Sequence, residues 1–176
     1  VNANSAGTAD ISGTGWDYSN GATNCNLTAM ALTVNAAPTN QCNLWGYAWS
    51  GSIGWINFGS STAGFGGVNI DNDTGYLSGY AWSENIGWIS FNQSDLSGCP
   101  STPCSAVLSG NSISGWAKAL AADGKGWDGW IKLKGTSPVV YGVTLNSGTK
   151  EFEGWAWGSP DVVGWISFNC INSGVC

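Results

Sequence analysis

The chain has 176 residues, of which only 9% are charged, and its five lysines are outnumbered by 11 acidic residues, with neither arginine nor histidine present. This composition argues against nucleic-acid binding, because neutralising phosphates requires a basic face, and it removes histidine, the most frequent general base. The length suits one domain with a hydrophobic core. We therefore expect a single domain with a largely uncharged polar surface.

The first 24 residues form an extension that precedes the repeated part of the chain. Residues 9–16 have the pattern of an orphan strand, which could complete the sheet of a neighbouring copy because exposed sheet edges accept added strands. Ile11 and Trp16 are the candidate assembly residues of this segment. The first repeat is expected to begin near residue 25, with its opening strand at 27–34.

A phrase rich in tryptophan and glycine then recurs four times. The phrases open at Gly46, Gly79, Gly115 and Gly154, which are 33, 36 and 39 residues apart. This spacing indicates supersecondary units that stack on one another. The units are assigned to approximately 25–60, 65–98, 104–135 and 139–170, and a short disulfide-closed tail follows at 171–176.

Alternation of apolar and polar residues predicts three strands in each unit. In the second unit, an opening strand at 68–70 leads through turn residues at 71–75 into a middle strand at 76–83, and a turn at 84–87 precedes a third strand at 88–91. Helix signals are nearly absent. We predict an all-β domain of four tandem three-stranded antiparallel meanders, about twelve strands, arranged as a closed ring or prism or as two packed sheets.

The recurring tryptophans are interpreted as packing residues. Gly79 and Ala81 share one face of the middle strand, and these small residues would leave a trough for a neighbouring indole. Twelve tryptophans, each with a large apolar area to bury, would then replace an aliphatic core. The aromatic residues assigned this structural role are Trp49, Trp55, Trp82, Trp88, Trp130, Trp157 and Trp165.

Six cysteines permit 15 sets of pairings, so the sequence alone leaves the connectivity open. Pairing between neighbours is the most economical arrangement, and a zinc site is disfavoured because no two-residue spacing and no histidine are present. Disulfides imply an extracytoplasmic location, so we expect an extracellular or cell-surface protein exported by a cleaved leader. The expected bonds are Cys25–Cys42, Cys99–Cys104 and Cys170–Cys176.

The complete phrase at 79–91, Gly-Tyr-Ala-Trp-Ser-Glu-Asn-Ile-Gly-Trp-Ile-Ser-Phe, resembles a Trp/Gly-rich β-repeat of secreted and cell-surface bacterial proteins. The resemblance covers about residues 42–176 and extends to the closing Phe-Asn-Cys at 168–170 with a second cysteine shortly after it. It implies an exported, surface-displayed repeat that often belongs to larger envelope or appendage proteins. The third unit departs from the pattern through an enlarged turn at 118–128.

Neither an enzyme nor a cofactor or metal site is expected. Glu151 and Glu153 share a strand face, as a glycosidase carboxylate pair would, but alternation around an inward Phe152 gives the same pattern. The acidic residues at 71–75 begin like a calcium loop, yet Trp82 stands where an EF-hand needs its closing glutamate. A plain turn explains these residues better.

The leading hypothesis for function is a structural subunit of an extracellular filament, pilus or surface layer, assembled head to tail from copies of itself. All lysines fall at 118–150 and residues 1–117 carry acids only, so unlike surfaces would meet, with Lys132 and Lys134 as candidate contacts. The alternative is a monomeric adhesin or carbohydrate-binding module. Its surface glycan would stack on Tyr80, Trp82, Trp155 and Trp157. Neither nucleic acid nor insertion into a membrane is expected, since the apolar stretches are short.

Overall fold

A computed structural model describes residues 41–44, 46–59, 67–122 and 127–169. These residues form fifteen strands and one three-residue 3-10 helix, η1, at Leu120–Ala122. In this described part, no helix has the length and apolarity needed to cross a bilayer. The strands are β1 Gln41–Asn43, β2 Tyr47–Ser50, β3 Gly54–Asn57, β4 Asn69–Asp71, β5 Leu77–Ser78, β6 Tyr80–Ser83, β7 Gly87–Ser90, β8 Val107–Ser109, β9 Ser112–Ser114, β10 Trp116–Ala119, β11 Trp130–Lys132, β12 Lys134–Gly135, β13 Tyr141–Leu145, β14 Phe152–Trp157 and β15 Trp165–Ser167.

Eight strands close into an antiparallel barrel built from four hairpins, one from each repeat. The first to fourth hairpins are β2–β3, β6–β7, β10–β11 and β14–β15, and each pairs with the next until β15 meets β2. The first hairpin therefore lies across the ring from the third, and the second from the fourth. The all-β prediction is confirmed, and of the two architectures left open the structure adopts the closed ring.

A second tier of strands continues the barrel at one end. The opening strands β4, β8 and β13 pair with the first part of the middle strand of their own unit, which is β5, β9 and β14 respectively. β4 also pairs with β1 and β13 with β9, so each inserts between successive units. β8 contacts the preceding unit through a bridge between Tyr76 and Val107. The two tiers together account for the predicted three-strand units in the second to fourth repeats.

A glycine bends each middle strand where it passes from the second tier into the barrel. Gly79 and Gly115 have φ of 86° and 93°, a region that side chains other than glycine rarely adopt. A Cβ at Gly79 would meet the carbonyl oxygen of Gly67, and one at Gly115 would meet that of Ser105. The prediction that an indole fills this trough is wrong, because the backbone immediately before the opening strand already occupies it.

The barrel interior is filled by alanine and isoleucine. Each hairpin contributes one cross-strand pair of these two residue types, and every member is buried. An eight-stranded barrel leaves an interior just wide enough for modest side chains, so indoles cannot fit there. The prediction that tryptophans replace an aliphatic core is therefore wrong. The pairs are Ala48–Ile56, Ala81–Ile89, Ala117–Ile131 and Ala156–Ile166.

A ring of larger side chains closes the barrel where the two tiers meet. Each repeat supplies one residue two positions before its bend glycine and one at the end of its phrase. The space they enclose leaves ≈ 10 Å³ for the centre of a water-sized sphere, room for one water at most. The eight residues are Leu44, Phe58, Leu77, Phe91, Ile113, Leu133, Phe152 and Phe168. The core is thus continuous through both tiers.

Several sequence-based predictions fall outside the described residues. They are the N-terminal extension at 1–24 with Ile11 and Trp16, the first opening strand at 27–34, the pairing partner Cys25, and the tail at 171–176 with the Cys170–Cys176 bond. These remain predictions.

Candidate functional site

The outer face of each hairpin carries a ladder of large side chains around one tryptophan of its second strand. In the first hairpin the ring centre of Trp55 lies 4.8 Å from that of Trp49 and 5.9 Å from that of Tyr47, both edge to face. Such aromatic pairs stabilise neighbouring strands. The tryptophans at the equivalent place in the second to fourth hairpins are Trp88, Trp130 and Trp165.

The third hairpin replaces one ladder aromatic by lysine. Lys118 takes the place that tryptophan holds in the other hairpins, and its Nζ lies 4.8 Å from the ring centre of Trp130. On the same hairpin, Nζ of Lys132 lies 5.0 Å from the ring centre of Trp116. Both are cation–π contacts. The ladder geometry therefore accepts an ammonium group in the position of an indole.

A disulfide-closed loop at 92–105 covers the third ladder. Trp116 donates from Nε1 to the carbonyl oxygen of Ser101 over 2.7 Å, and its own backbone N donates to that of Cys104. Leu96 of the loop is fully buried against Trp116 and Trp130, both only 9% exposed. The loop and the two indoles thus form a second, smaller core outside the barrel.

The predicted bond between Cys99 and Cys104 is confirmed, with an S–S distance of 2.00 Å. Cys42 is also disulfide-bonded, and its partner lies outside the described residues. The described cysteines include no free thiol, so none of them offers a nucleophile.

Within the described ranges, no loop covers the first ladder in this way. Tyr47, Trp55 and Trp82 are 54%, 46% and 40% exposed, and with Trp49 they line an open groove of about 780 Å³ between the first and second hairpins. Tyr47 lies opposite Asn57, and Asn57 lies opposite Trp82 on the next strand, so the aromatic groups are spread over three adjacent strands. We call this surface the aromatic groove.

The polar groups of the aromatic groove are Asn57, Glu84 and Asn85. Asn85 donates from Nδ2 to the carbonyl oxygen of Ile53 over 3.0 Å, which anchors the turn of the second hairpin on the first. Oδ1 of Asn57 accepts from the backbone N of Gly59. Glu84 is exposed and is the one charged side chain among the groove residues. The groove therefore combines aromatic faces with negative charge.

Of the two lysines predicted as assembly contacts, Lys132 lies on β11 of the third hairpin, across the ring from the first, and Lys134 lies just beyond it on β12, which pairs with β13. Lys132 is engaged, because its Nζ lies over Trp116 and 3.5 Å from Oγ of Ser101. Lys134 is exposed and donates from Nζ to Oγ of Ser112 over 3.0 Å. Of the two, Lys134 is the more available to a partner.

The predicted glycan platform is not assembled by the structure as one surface. Tyr80 and Trp82 belong to the second hairpin, whereas Trp155 and Trp157 belong to the fourth, on the opposite side of the ring. The structure instead joins Trp82 to the first ladder. Sequence reasoning missed Tyr47, although it aligns with Tyr80 in the repeat.

The fourth ladder is partly covered by the second tier. Tyr141 of β13 packs edge to face on Trp165, with ring centres 5.0 Å apart. Burial raises the pKa of the Tyr141 phenol. This side of the barrel therefore offers less open aromatic surface than the first hairpin.

The acidic residues considered as catalytic or metal groups serve local structure. Oδ1 of Asp71 accepts from N and Oγ1 of Thr74, each over 2.8 Å, and from N of Asp73 over 3.1 Å. These hydrogen bonds, those to Thr74 first, lower the pKa of Asp71. Glu153 accepts from Nδ2 of Asn146 over 2.7 Å. Across the described ranges, no cluster of three potential metal ligands occurs.

The fold and the surface together define a closed antiparallel β-barrel of four hairpins with aromatic ladders on its outside. Comparisons with family models, curated proteins and solved structures find no significant match. The aromatic groove and the lysine-bearing third hairpin are the two most distinctive features of the barrel surface.

Proposed function

We propose that this protein is a structural, non-catalytic subunit of an extracellular filament, pilus or surface layer, assembled head to tail. The observation that carries the proposal is that two unlike surfaces lie on opposite sides of one closed barrel. The first hairpin exposes aromatic rings beside Glu84, and the third hairpin across the ring carries Lys118 and Lys132, with Lys134 just beyond it. A contact between unlike surfaces on opposite sides adds copies in a line.

Exposed aromatic area supports the same proposal. Contiguous apolar patches on a soluble protein commonly mark interaction surfaces, and interfaces are enriched in tyrosine and tryptophan. Tyr47, Trp55 and Trp82 supply such a patch. The Cys99–Cys104 bond supports an oxidising, extracellular location.

The test is the oligomeric state of the purified chain as a function of concentration. Sedimentation velocity should detect species larger than a monomer, and negative-stain electron microscopy should reveal ordered linear polymers. A chain that remains monomeric at every concentration overturns the proposal.

A second candidate function is that of a carbohydrate-binding or adhesin module. The aromatic groove favours it, because open grooves of this size lined by aromatic side chains and a few polar groups are typical ligand sites. A glycan array with the wild-type chain and Trp55→Ala tests it. Binding that Trp55→Ala abolishes, by a protein that stays monomeric, would replace the structural role with this one.

A further inference from the structure

We propose that the aromatic groove is the acceptor for a lysine of a second copy of this chain, with Lys134 as the donor. The inference rests on the proposed function and names the contact that would carry it. It places an ammonium group over the exposed ring of Trp55 and next to the Glu84 carboxylate.

The first argument is that the same chain already makes this contact internally. In the third hairpin, Nζ of Lys118 and Nζ of Lys132 lie 4.8 and 5.0 Å from the centres of Trp130 and Trp116. Trp55 occupies the place of Trp130 in the first hairpin. Its neighbours there are aromatic, and no lysine is among the described residues that line the groove. Trp49 fills the place of Lys118 there, so an external ammonium would contact the part of the Trp55 ring that Trp49 and Tyr47 leave exposed.

The second argument is charge complementarity. Glu84 is the single charged group among the described residues that line the aromatic groove. The described acids near the third hairpin are tied to their own chain, since Asp128 accepts from the backbone N of Trp130 and Asp95 accepts from Oγ of Ser90. Lys134 is exposed at the end of this surface. When a lysine-bearing surface pairs with a groove that contains a carboxylate, the opposite charges select the partner surface and set its orientation.

The directions in which the donor and acceptor surfaces point also favour a contact between copies. Because the first and third hairpins lie across the ring from each other, the donor and acceptor surfaces of one copy point away from each other. One copy therefore cannot satisfy its own groove. The contact is heterologous, and repetition extends it as a chain of copies.

A charge exchange between Glu84 and Lys134 tests the contact. Lys134→Glu and Glu84→Lys should each raise the concentration needed for half-assembly about two- to fivefold, the range for an exposed ion pair. The double variant, which restores opposite charges across the contact, should return towards the wild-type value. Trp55→Ala should raise it more than about fivefold if this ring is a hot spot.

The matched control is Lys150→Glu, which makes the same charge change in the turn between β13 and β14. It should leave assembly unchanged. Added salt should weaken assembly of the wild type and narrow its difference from the single variants, because it also screens the like charges that each single variant brings together. Melting curves of each variant report whether the barrel is intact. If the half-assembly concentration of the double variant rises by the product of the two single-variant increases, the contact is overturned and the proposed function is not. A wild-type chain that never assembles overturns both.

Discussion

The first and third hairpins place the same residue types inside the barrel, but their outer faces differ in exposure to solvent. Both place an alanine and an isoleucine in the barrel, paired at the same register. Outside, Trp55 of the first hairpin is 46% exposed, whereas Trp130 of the third is 9% exposed beneath the disulfide loop. The repeat therefore specifies the barrel through its inner residues, and its outer face can become either a local core or an open surface.

A substitution at the bend glycine breaks what the two hairpins share. Gly115→Ala places a Cβ against the carbonyl oxygen of Ser105 at φ 93°. The left-handed conformation alone costs about 1–2 kcal/mol, and the clash with backbone adds to it, so we expect the free energy of unfolding to fall by more than about 2 kcal/mol. Denaturant unfolding measures this.

Gly51→Ala is the matched control for Gly115→Ala. A Cβ at Gly51 meets nothing within 4 Å, so its stability should change by less than about 0.5 kcal/mol, as is usual for surface substitutions. Equal effects of the two substitutions would refute the role assigned to the bend glycine.

The next prediction separates the two outer faces directly. Trp130→Ala should lower the free energy of unfolding by about 3–5 kcal/mol, because it empties the small core under the loop. Trp55→Ala should cost only about 1 kcal/mol, since its main contribution is to cross-strand pairs on an exposed face. Chemical denaturation of both variants checks the difference. If Trp55→Ala proves as costly as Trp130→Ala, the first ladder is a structural core and not an open surface.

Removing the Cys99–Cys104 disulfide tests what holds the loop over the third ladder. The Cys99→Ser and Cys104→Ser double variant should lose about 2 kcal/mol, the loop-closure estimate for so short a loop, and acrylamide should quench tryptophan fluorescence more strongly. Unchanged quenching would mean that Leu96 and the Trp116–Ser101 hydrogen bond hold the loop without the disulfide.

The smallest effect concerns the cation that distinguishes the third ladder. Lys118→Met keeps the length of the side chain but removes the ammonium above Trp130, so we expect a loss of about 0.5–1 kcal/mol. Lys134→Met is the control, because its Nζ contacts the hydroxyl of Ser112 and not a ring. Thermal melts of both variants at the same pH measure the contrast. A larger loss in the control would contradict the cation–π interpretation.

Local features of the chain were predictable from its sequence. Alternation in the second unit defines β6 and β7, the turn residues between them define a hairpin, and the five-residue separation of Cys99 and Cys104 favours a bond. Each of these depends on a few neighbouring residues, so the pattern suffices. The all-β class and the repeated hairpins follow from the same short-range signals.

Which face points inward was decided only by the closed barrel. Ala81 and Ile89 on one face and Tyr80 and Trp82 on the other are all apolar or aromatic, so the pattern favours neither face. Eight strands enclose too little space for indoles, and this places the small residues inside and the tryptophans outside. The number of strands that close the ring cannot be predicted from any short stretch of the sequence.

The candidate site likewise depended on tertiary structure. The sequence identifies the type of residue that is exposed, but it grouped Trp82 with Trp157 because the two occupy equivalent repeat positions. The order of strands in the ring instead places Trp82 beside Tyr47. It also could not tell which ladder the loop at 92–105 would cover. The chain by itself determined the repeating hairpin and its turns, through local periodicity and glycine spacing. Closure of the ring decided the inner face and the neighbours of each ladder, and packing of the loop at 92–105 decided that the third ladder is buried while the aromatic groove is exposed.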